Sequence, residues 1–195
     1  MKKLLAVMFL AAAMVSPAFA IMEFDVKVGY IVEPSMVQTG PEEYKLSYSQ
    51  EPSYSIGADV YLYLLHNIGI GAGVNYILDS KFTKGDWQKD AKLGSTNAFV
   101  AVKPILAEDG LVDRVYLLGQ LGMGITKYSD NVNDYDFSKN GLYWGVGFGI
   151  EKWSILVELL YSVNYWENGE DGWDDDYTYT NRRLAINLGY KFGGI

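Results

Sequence analysis

Apolar and polar residues alternate with a period of two along most of the chain, a pattern typical of β-strands whose two faces meet different surroundings. In the first such segment Phe24, Val26 and Val28 are apolar, whereas Asp25 and Lys27 between them are charged. The alternating segments are residues 24–32, 54–64, 68–76, 97–103, 115–126, 142–151, 155–165 and 183–192. The sequence therefore predicts an all-β fold of eight antiparallel strands.

The connections between these segments alternate in length. The short ones are residues 66–67, 107–114 and 152–154, and the long polar ones are residues 34–52, 80–92, 129–141 and 168–178. Short turns at one end and long loops at the other are typical of an up-and-down barrel in an outer membrane. Pro104 is expected to end the fourth strand, because proline cannot donate a ladder hydrogen bond.

The alternative is a secreted soluble barrel or sandwich with the same alternation. In such a protein the bulky apolar face would point inward and the outer face would carry charged side chains. Here the apolar face is too bulky to fit inside eight strands, and the other face is rich in glycine, as at Gly69, Gly71 and Gly73. We therefore expect a transmembrane β-barrel with its apolar face toward lipid.

Aromatic residues agree with this orientation. They fall near both ends of the predicted strands, as expected for the two aromatic girdles at the membrane surfaces. With the N-terminus in the periplasm, the outer girdle comprises Tyr30, Tyr54, Tyr76, Trp144 and Tyr165, and the inner one Phe24, Tyr190, Phe192 and Trp153.

The first twenty residues have the three parts of a secretory signal peptide. Lys2 and Lys3 precede an apolar stretch over residues 4–15, and Ala18-Phe19-Ala20 forms a cleavage site. We expect residues 1–20 to be removed and residues 21–195 to form one outer-membrane barrel domain. The net charge of −8 argues against nucleic acid as a partner, and the absence of cysteine excludes disulfides and thiolate metal sites.

Charged residues also occur on the face predicted to line the lumen. Near the periplasmic end these are Asp25, Lys27, Lys103, Glu151, Glu158 and Lys191, three acids and three bases. Buried charges must be paired, so a mutually bonded network that plugs the lumen is expected. The alternative is a path for cations, although eight strands leave an interior that side chains can fill.

The fourth long loop is strongly acidic and includes Asp174, Asp175 and Asp176. It is interpreted as a solvated negative tip, with capture of Ca²⁺ or Mg²⁺ beside lipopolysaccharide phosphates as the alternative, since hard cations prefer carboxylate oxygens. His66 is the single histidine and falls in a short turn, which removes the usual proton-transfer group of envelope hydrolases and transferases. We expect no enzymatic activity and no cofactor.

The strand pattern, the leader and the final Gly189-Tyr190-Lys191-Phe192 resemble the small outer-membrane β-barrel family of OmpA, OmpX and opacity-protein type. This resemblance implies that Tyr190 and Phe192 belong to the signal read by the barrel-assembly machinery. Asn187 stands where the family has a glycine, and three residues follow Phe192. The resemblance further implies a monomer surrounded by outer-membrane lipid and lipopolysaccharide. Its expected role is envelope structure or binding of an unidentified surface ligand through acidic loops, with a narrow channel for small or hydrophobic molecules as the alternative.

Overall fold

The alternating segments form antiparallel β-strands in the computed structural model, which describes residues 21–32, 34–40, 45–65, 67–83, 91–109, 112–130, 135–168 and 177–193. Within these ranges one sheet contains ten strands. They are β1 (Ile21–Ile31), β2 (Ser35–Thr39), β3 (Lys45–Ser49), β4 (Ser53–Leu65), β5 (Ile68–Lys81), β6 (Ala91–Asp109), β7 (Val112–Asp130), β8 (Tyr135–Lys152), β9 (Ile155–Asn168) and β10 (Tyr177–Gly193). No helix in the described part of the chain is long and apolar enough to cross a membrane.

Eight of these strands close into a ring. The order is β1-β4-β5-β6-β7-β8-β9-β10, and β10 returns to β1 with Phe24 opposite Phe192 and Ile31 opposite Ala185. Each strand is antiparallel to its neighbour, and ring neighbours are consecutive along the chain apart from the small β2–β3 hairpin. The predicted eight-stranded, antiparallel, up-and-down barrel is confirmed.

The two faces of the wall differ as the period of two requires. On β1, Glu23, Asp25 and Lys27 are buried in the lumen, whereas Met22 and Val28 are each 54% exposed on the outside. The same apolar exterior continues around the ring through leucine, isoleucine, valine and aromatic residues. An apolar exterior of this kind is stable in contact with lipid, because exposing apolar side chains to lipid carries none of the free-energy cost of exposing them to water.

The loop end of the barrel differs from the prediction, because parts of the expected long loops are strands. In loop 34–52, β2 pairs with the upper part of β10, β3 pairs with β2, and Gln50 forms a bridge to Phe82 beyond β5. The hairpin thereby continues the wall above the ends of β1 and β4. Loops 80–92 and 129–141 are shortened in the same way by β5, β6, β7 and β8. Water surrounds these segments, so their outer positions need not be apolar and the pattern is weaker.

At the opposite, turn end, β6 continues to Asp109 instead of ending at Pro104. Pro104 lies opposite Ile68, the first residue of β5, and the next residue, Ile105, donates its N–H to the Asn67 carbonyl at 2.8 Å. The ladder with β7 has no pair at Lys103 or Pro104 and resumes where Ile105 lies opposite Tyr116, so the missing N–H of proline interrupts β6 locally without ending it.

The β8–β9 turn consists of Trp153 and Ser154, both with positive φ, between the paired residues Lys152 and Ile155. Two positive φ values are the signature of a type I′ turn, which matches the twist of a tight hairpin. The Trp153 backbone N–H donates to Asp113 Oδ2 at 2.6 Å, so this turn is held against β7.

Candidate functional site

The turn half of the lumen contains a continuous group of buried charges, which we call the ionic layer. It consists of Glu23, Asp25, Lys27, Asp59, Lys103, Arg114, Glu151, Glu158 and Lys191. Every one of these side chains is on an inward position of its strand, and none exposes more than 8% of its surface. Charges with so little access to water must neutralise one another.

Lys27 is the centre of one part of the ionic layer. Its Nζ donates to both carboxylate oxygens of Glu158 at 3.0 Å and also forms an ion pair with Asp59. Glu158 accepts a further hydrogen bond from the Tyr116 hydroxyl at 2.9 Å, and Tyr61 donates to Asp59 at 3.2 Å. One ammonium group therefore pairs with two carboxylates, and each carboxylate also accepts a hydrogen bond from a tyrosine hydroxyl.

Lys103 is the centre of the other part. It contacts Glu23 Oε1 at 2.5 Å and Asp25 Oδ2 at 3.0 Å, while Arg114 Nη1 donates to Glu23 Oε2 at 2.8 Å. Lys191 pairs with Glu151 nearby. These contacts join residues from five strands around the ring, so the ionic layer connects opposite walls of the barrel.

Aromatic rings fill the space around these charges. The Lys103 ammonium lies 4.3 Å from the centroid of the Tyr116 ring and 4.9 Å from that of Tyr61, within the range of cation–π attraction. Tyr116 fits because the facing residue is Gly149, where a Cβ atom would lie 2.4 Å from the tyrosine ring. Lumen glycines thus leave room for large rings from the neighbouring strand.

All six lumen charges predicted from the sequence lie in the ionic layer. The alternation places Asp59 and Arg183 on the lumen face, but the predicted list of lumen charges did not include these two, nor Glu23 and Arg114. The alternation could have identified them, because each is separated by an even number of positions from a residue of the same strand that faces the lumen. With these four included, the buried charges of the described residues are five acids and five bases, so the charge of this part of the lumen remains balanced.

Above the ionic layer, a chain of hydrogen bonds crosses the lumen, which we call the polar relay. Its members, in order of donation, are Arg183, Asn164, Asn97, Asn75, Tyr143 and Gln120. Each donates to the next, from 2.5 Å between Arg183 and Asn164 to 3.3 Å between Asn75 and Tyr143. Because all donors point one way and the first is a cation, each bond polarises the following one.

A third group closes the loop end of the lumen, and we call it the apolar cap. It consists of Met36, Phe82, Ala91, Leu93 and Trp166, with Tyr48, Tyr128 and Tyr179 packed against them. Trp166 is 2% exposed, and its ring stacks on Tyr179 at a centroid distance of 5.4 Å. The cap depends on the β2–β3 hairpin, since Met36 and Tyr48 come from it.

The residues predicted to form the two girdles lie on the outside of the barrel. At the loop end Tyr30 contacts Tyr54, with ring centroids 5.5 Å apart. At the turn end Phe192 contacts both Phe24 and Tyr190, at 6.1 Å and 4.9 Å. Tyr76 is exposed, and Trp144 and Tyr165 are partly so.

Three lysines stand on the outer surface beyond the loop-end aromatics, and we call them the basic patch. Lys81 and Lys92 are cross-strand partners on β5 and β6, and Lys127 lies diagonally next to them on β7. No described acidic side chain forms an ion pair with any of the three. Sequence reasoning did not single out this patch, because the lysines belong to three distant segments.

Two sequence-predicted features, His66 in its turn and the acidic run Asp174, Asp175 and Asp176, lie outside the described residues. In the described ranges no group of three or more acidic or histidine side chains is arranged to hold a metal ion.

A closed ring of eight antiparallel strands, apolar outside and polar inside, with short turns at one end, defines a transmembrane barrel of bacterial outer membranes. The family model "Outer membrane protein beta-barrel domain" matches residues 4–192, and the chain belongs to this family. It is accordingly a protein of the bacterial outer membrane.

Solved structures of small outer-membrane barrels share the fold. Neisserial surface protein A is 12% identical, with 87% of this chain and 97% of that one covered and a TM-score of 0.53. OprG from Pseudomonas aeruginosa is 13% identical, with 89% and 97% covered and a TM-score of 0.53. At these identities the likeness shows the fold alone. No curated protein matches the sequence.

Proposed function

We propose that the protein is a non-enzymatic barrel with a plugged lumen, which acts in the envelope through its outer surface and loops. The observation that carries this proposal is the succession of the ionic layer, the polar relay and the apolar cap along one lumen. Tyr61, Lys103, Tyr116 and Tyr143 are each fully buried within it. An ion crossing the barrel would have to break charge-assisted bonds that no water replaces, which is strongly unfavourable.

Conductance across a planar lipid bilayer tests the plug. Purified, refolded wild-type protein should leave the current at the bilayer background, and an open porin measured in the same bilayer serves as the positive control. Steady single-channel currents from the wild type would refute the plug. Lipid A extracted from cells with and without the protein should give the same mass spectrum, since no hydrolase or transferase activity is expected.

The alternative, a passage for small or hydrophobic molecules, is favoured by the apolar cap. Its aromatic interior could accept an apolar solute at the loop end. The ionic layer then lies directly in the path, and an apolar molecule cannot replace its bonds. Entry of a fluorescent apolar solute into liposomes that contain the protein, at a rate above that of empty liposomes, would favour this alternative.

Lipopolysaccharide is the partner that we propose for the outer surface. Lys127 and Lys92 lie two and four residues beyond the level of Tyr76, about 7 to 13 Å further out at strand spacing. Anionic phosphates of the outer leaflet are expected just outside the aromatic girdle, and three neighbouring ammonium groups suit them. From its sequence alone, we also propose that the acidic run Asp174, Asp175 and Asp176 binds divalent cations that bridge to lipopolysaccharide phosphates.

Binding of purified lipopolysaccharide by the refolded barrel tests this partner. Replacing Lys81, Lys92 and Lys127 together by glutamine should weaken binding and flatten its dependence on salt. Lys152→Gln is the matched control, because this lysine is on the exterior at the opposite end. Equal binding by the triple variant and the wild type would contradict the assignment.

We also propose that the barrel is monomeric and that Tyr190 and Phe192 mark it for the assembly machinery. Both side chains are about half exposed, at 49% and 52%, on the last strand, where a receptor could reach them before closure. Phe192→Ala should lower the amount of heat-modifiable barrel in outer membranes, whereas Ile186→Ala on the same strand and face should not. A normal yield of the Phe192 variant would refute this role.

A further inference from the structure

The cation at the head of the polar relay lacks a counter-ion. Arg183 is 2% exposed, and its one side-chain hydrogen bond within the described part of the chain is from Nη1 to the neutral Asn164 side chain. No carboxylate of the described residues lies within 4 Å of its guanidinium group, in contrast to every cation of the ionic layer. A buried, uncompensated guanidinium is costly unless something neutralises it.

Arg183 also lines a cavity between the ionic layer and the apolar cap. The cavity measures about 30 Å³, which is room for two waters or one small ion. Its charged lining residues are Arg183, Lys27 and Asp59, so the lining carries a net charge of +1. Both Lys27 and Asp59 are paired within the ionic layer, so neither of them neutralises the positive charge of Arg183.

Hydrogen-bond donors stand around the same space. Ser162 is the cross-strand neighbour of Arg183, and Ser55 lines the cavity from β4. A hydroxyl group can donate its hydrogen to a small anion, so these two serines complete the coordination beside the guanidinium group.

We propose that this cavity binds one small monovalent inorganic anion of about halide size, which neutralises Arg183 in the middle of the barrel. The anion forms a charge-assisted hydrogen bond with the guanidinium group and occupies the space that the short side chains of Ser55 and Ser162 leave open. It stabilises the folded barrel and is unrelated to the outer surface that carries the proposed function.

Urea unfolding in mixtures of sodium bromide and sodium gluconate at constant ionic strength tests the site. Bromide should raise the urea midpoint, and an anion at ten times its dissociation constant lowers the unfolding constant about tenfold. Arg183→Gln should abolish the bromide dependence. Arg182→Gln is the matched control, because the adjacent Arg182 faces outward and its variant should keep the wild-type response.

A direct measurement keeps the proposal testable if Arg183→Gln fails to refold. Crystals of wild-type barrel grown with bromide should show an anomalous peak within hydrogen-bonding distance of the Arg183 guanidinium. Absence of that peak, or an equal bromide response in wild type and Arg183→Gln, would overturn the proposal.

Discussion

Lys27 pairs with two carboxylates, Glu158 and Asp59. We therefore predict that the effect of Glu158→Leu on the free energy of unfolding has opposite signs in the wild-type and the Lys27→Met backgrounds. Lys27→Met leaves both Glu158 and Asp59 buried without their cation, at 2% exposure each. Removing one partner of a buried ion pair costs about 3–5 kcal/mol, and this variant should lie at the upper end because two acids lose their partner.

Glu158→Leu should cost less in the wild-type background. Lys27 keeps its ion pair with Asp59, so no buried charge loses its last partner. The loss is limited to the buried donors of Tyr116 and Asn187 that no longer have an acceptor, about 1–3 kcal/mol. In the Lys27→Met background the same change removes one of two uncompensated carboxylates. There, Glu158→Leu should raise the stability.

Urea unfolding of refolded barrel, followed by tryptophan fluorescence, measures the four free energies of the cycle. Lys152→Met is the control, since its 3.7 Å contact with Asp113 is at the surface and such pairs contribute about 1 kcal/mol or less. The reasoning fails if Glu158→Leu destabilises both backgrounds equally, or if Lys27→Met costs no more than Lys152→Met.

Three further changes probe the rest of the lumen with the same unfolding assay. Gly149→Ala should lower the free energy of unfolding by about 1–3 kcal/mol, because the added Cβ overlaps the Tyr116 ring. Gly119→Ala is the control and should lower it less, since its Cβ meets only a valine methyl at 3.1 Å. Equal losses of stability would contradict this reasoning. Asn97→Leu interrupts the polar relay and leaves its buried partners unpaired, which should lower the free energy of unfolding by about 1–3 kcal/mol. An unchanged stability would show that the relay does not stabilise the barrel. Trp166→Ala should cost about 3–5 kcal/mol and still leave bilayer conductance at background, because the ionic layer remains closed; new currents would show that the cap is the real barrier.

Much of the lumen could be predicted from strand parity. Asp25 and Lys27 point inward because a strand turns every second side chain to the same face, and Phe24 points outward for the same reason. Glu23, Asp59 and Arg114 obey the same rule, although the predicted list of lumen charges did not include them. Parity alone could have assigned them.

The partners of these charges could not be predicted in this way. Lys27 and Glu158 are 131 positions apart, and Lys103 and Glu23 are 80 apart. Parity places each charge in the lumen, but the tilt and stagger of the closed ring decide its depth and its neighbours. Arg183 has no described carboxylate beside it for the same reason, because the ring places it further up the lumen than the ionic layer.

The sequence by itself determined the number of barrel strands, their two faces and the class of membrane, because a period of two between lipid and a crowded lumen is a local property of each strand. Tertiary structure alone decided how the lumen is filled. Closure of the ring brings Met36 and Tyr48 of the β2–β3 hairpin over the mouth, sets Lys27 between two acids and leaves Arg183 beside a cavity. Such contacts form between distant segments whose relative heights are fixed only when the last strand pairs with the first.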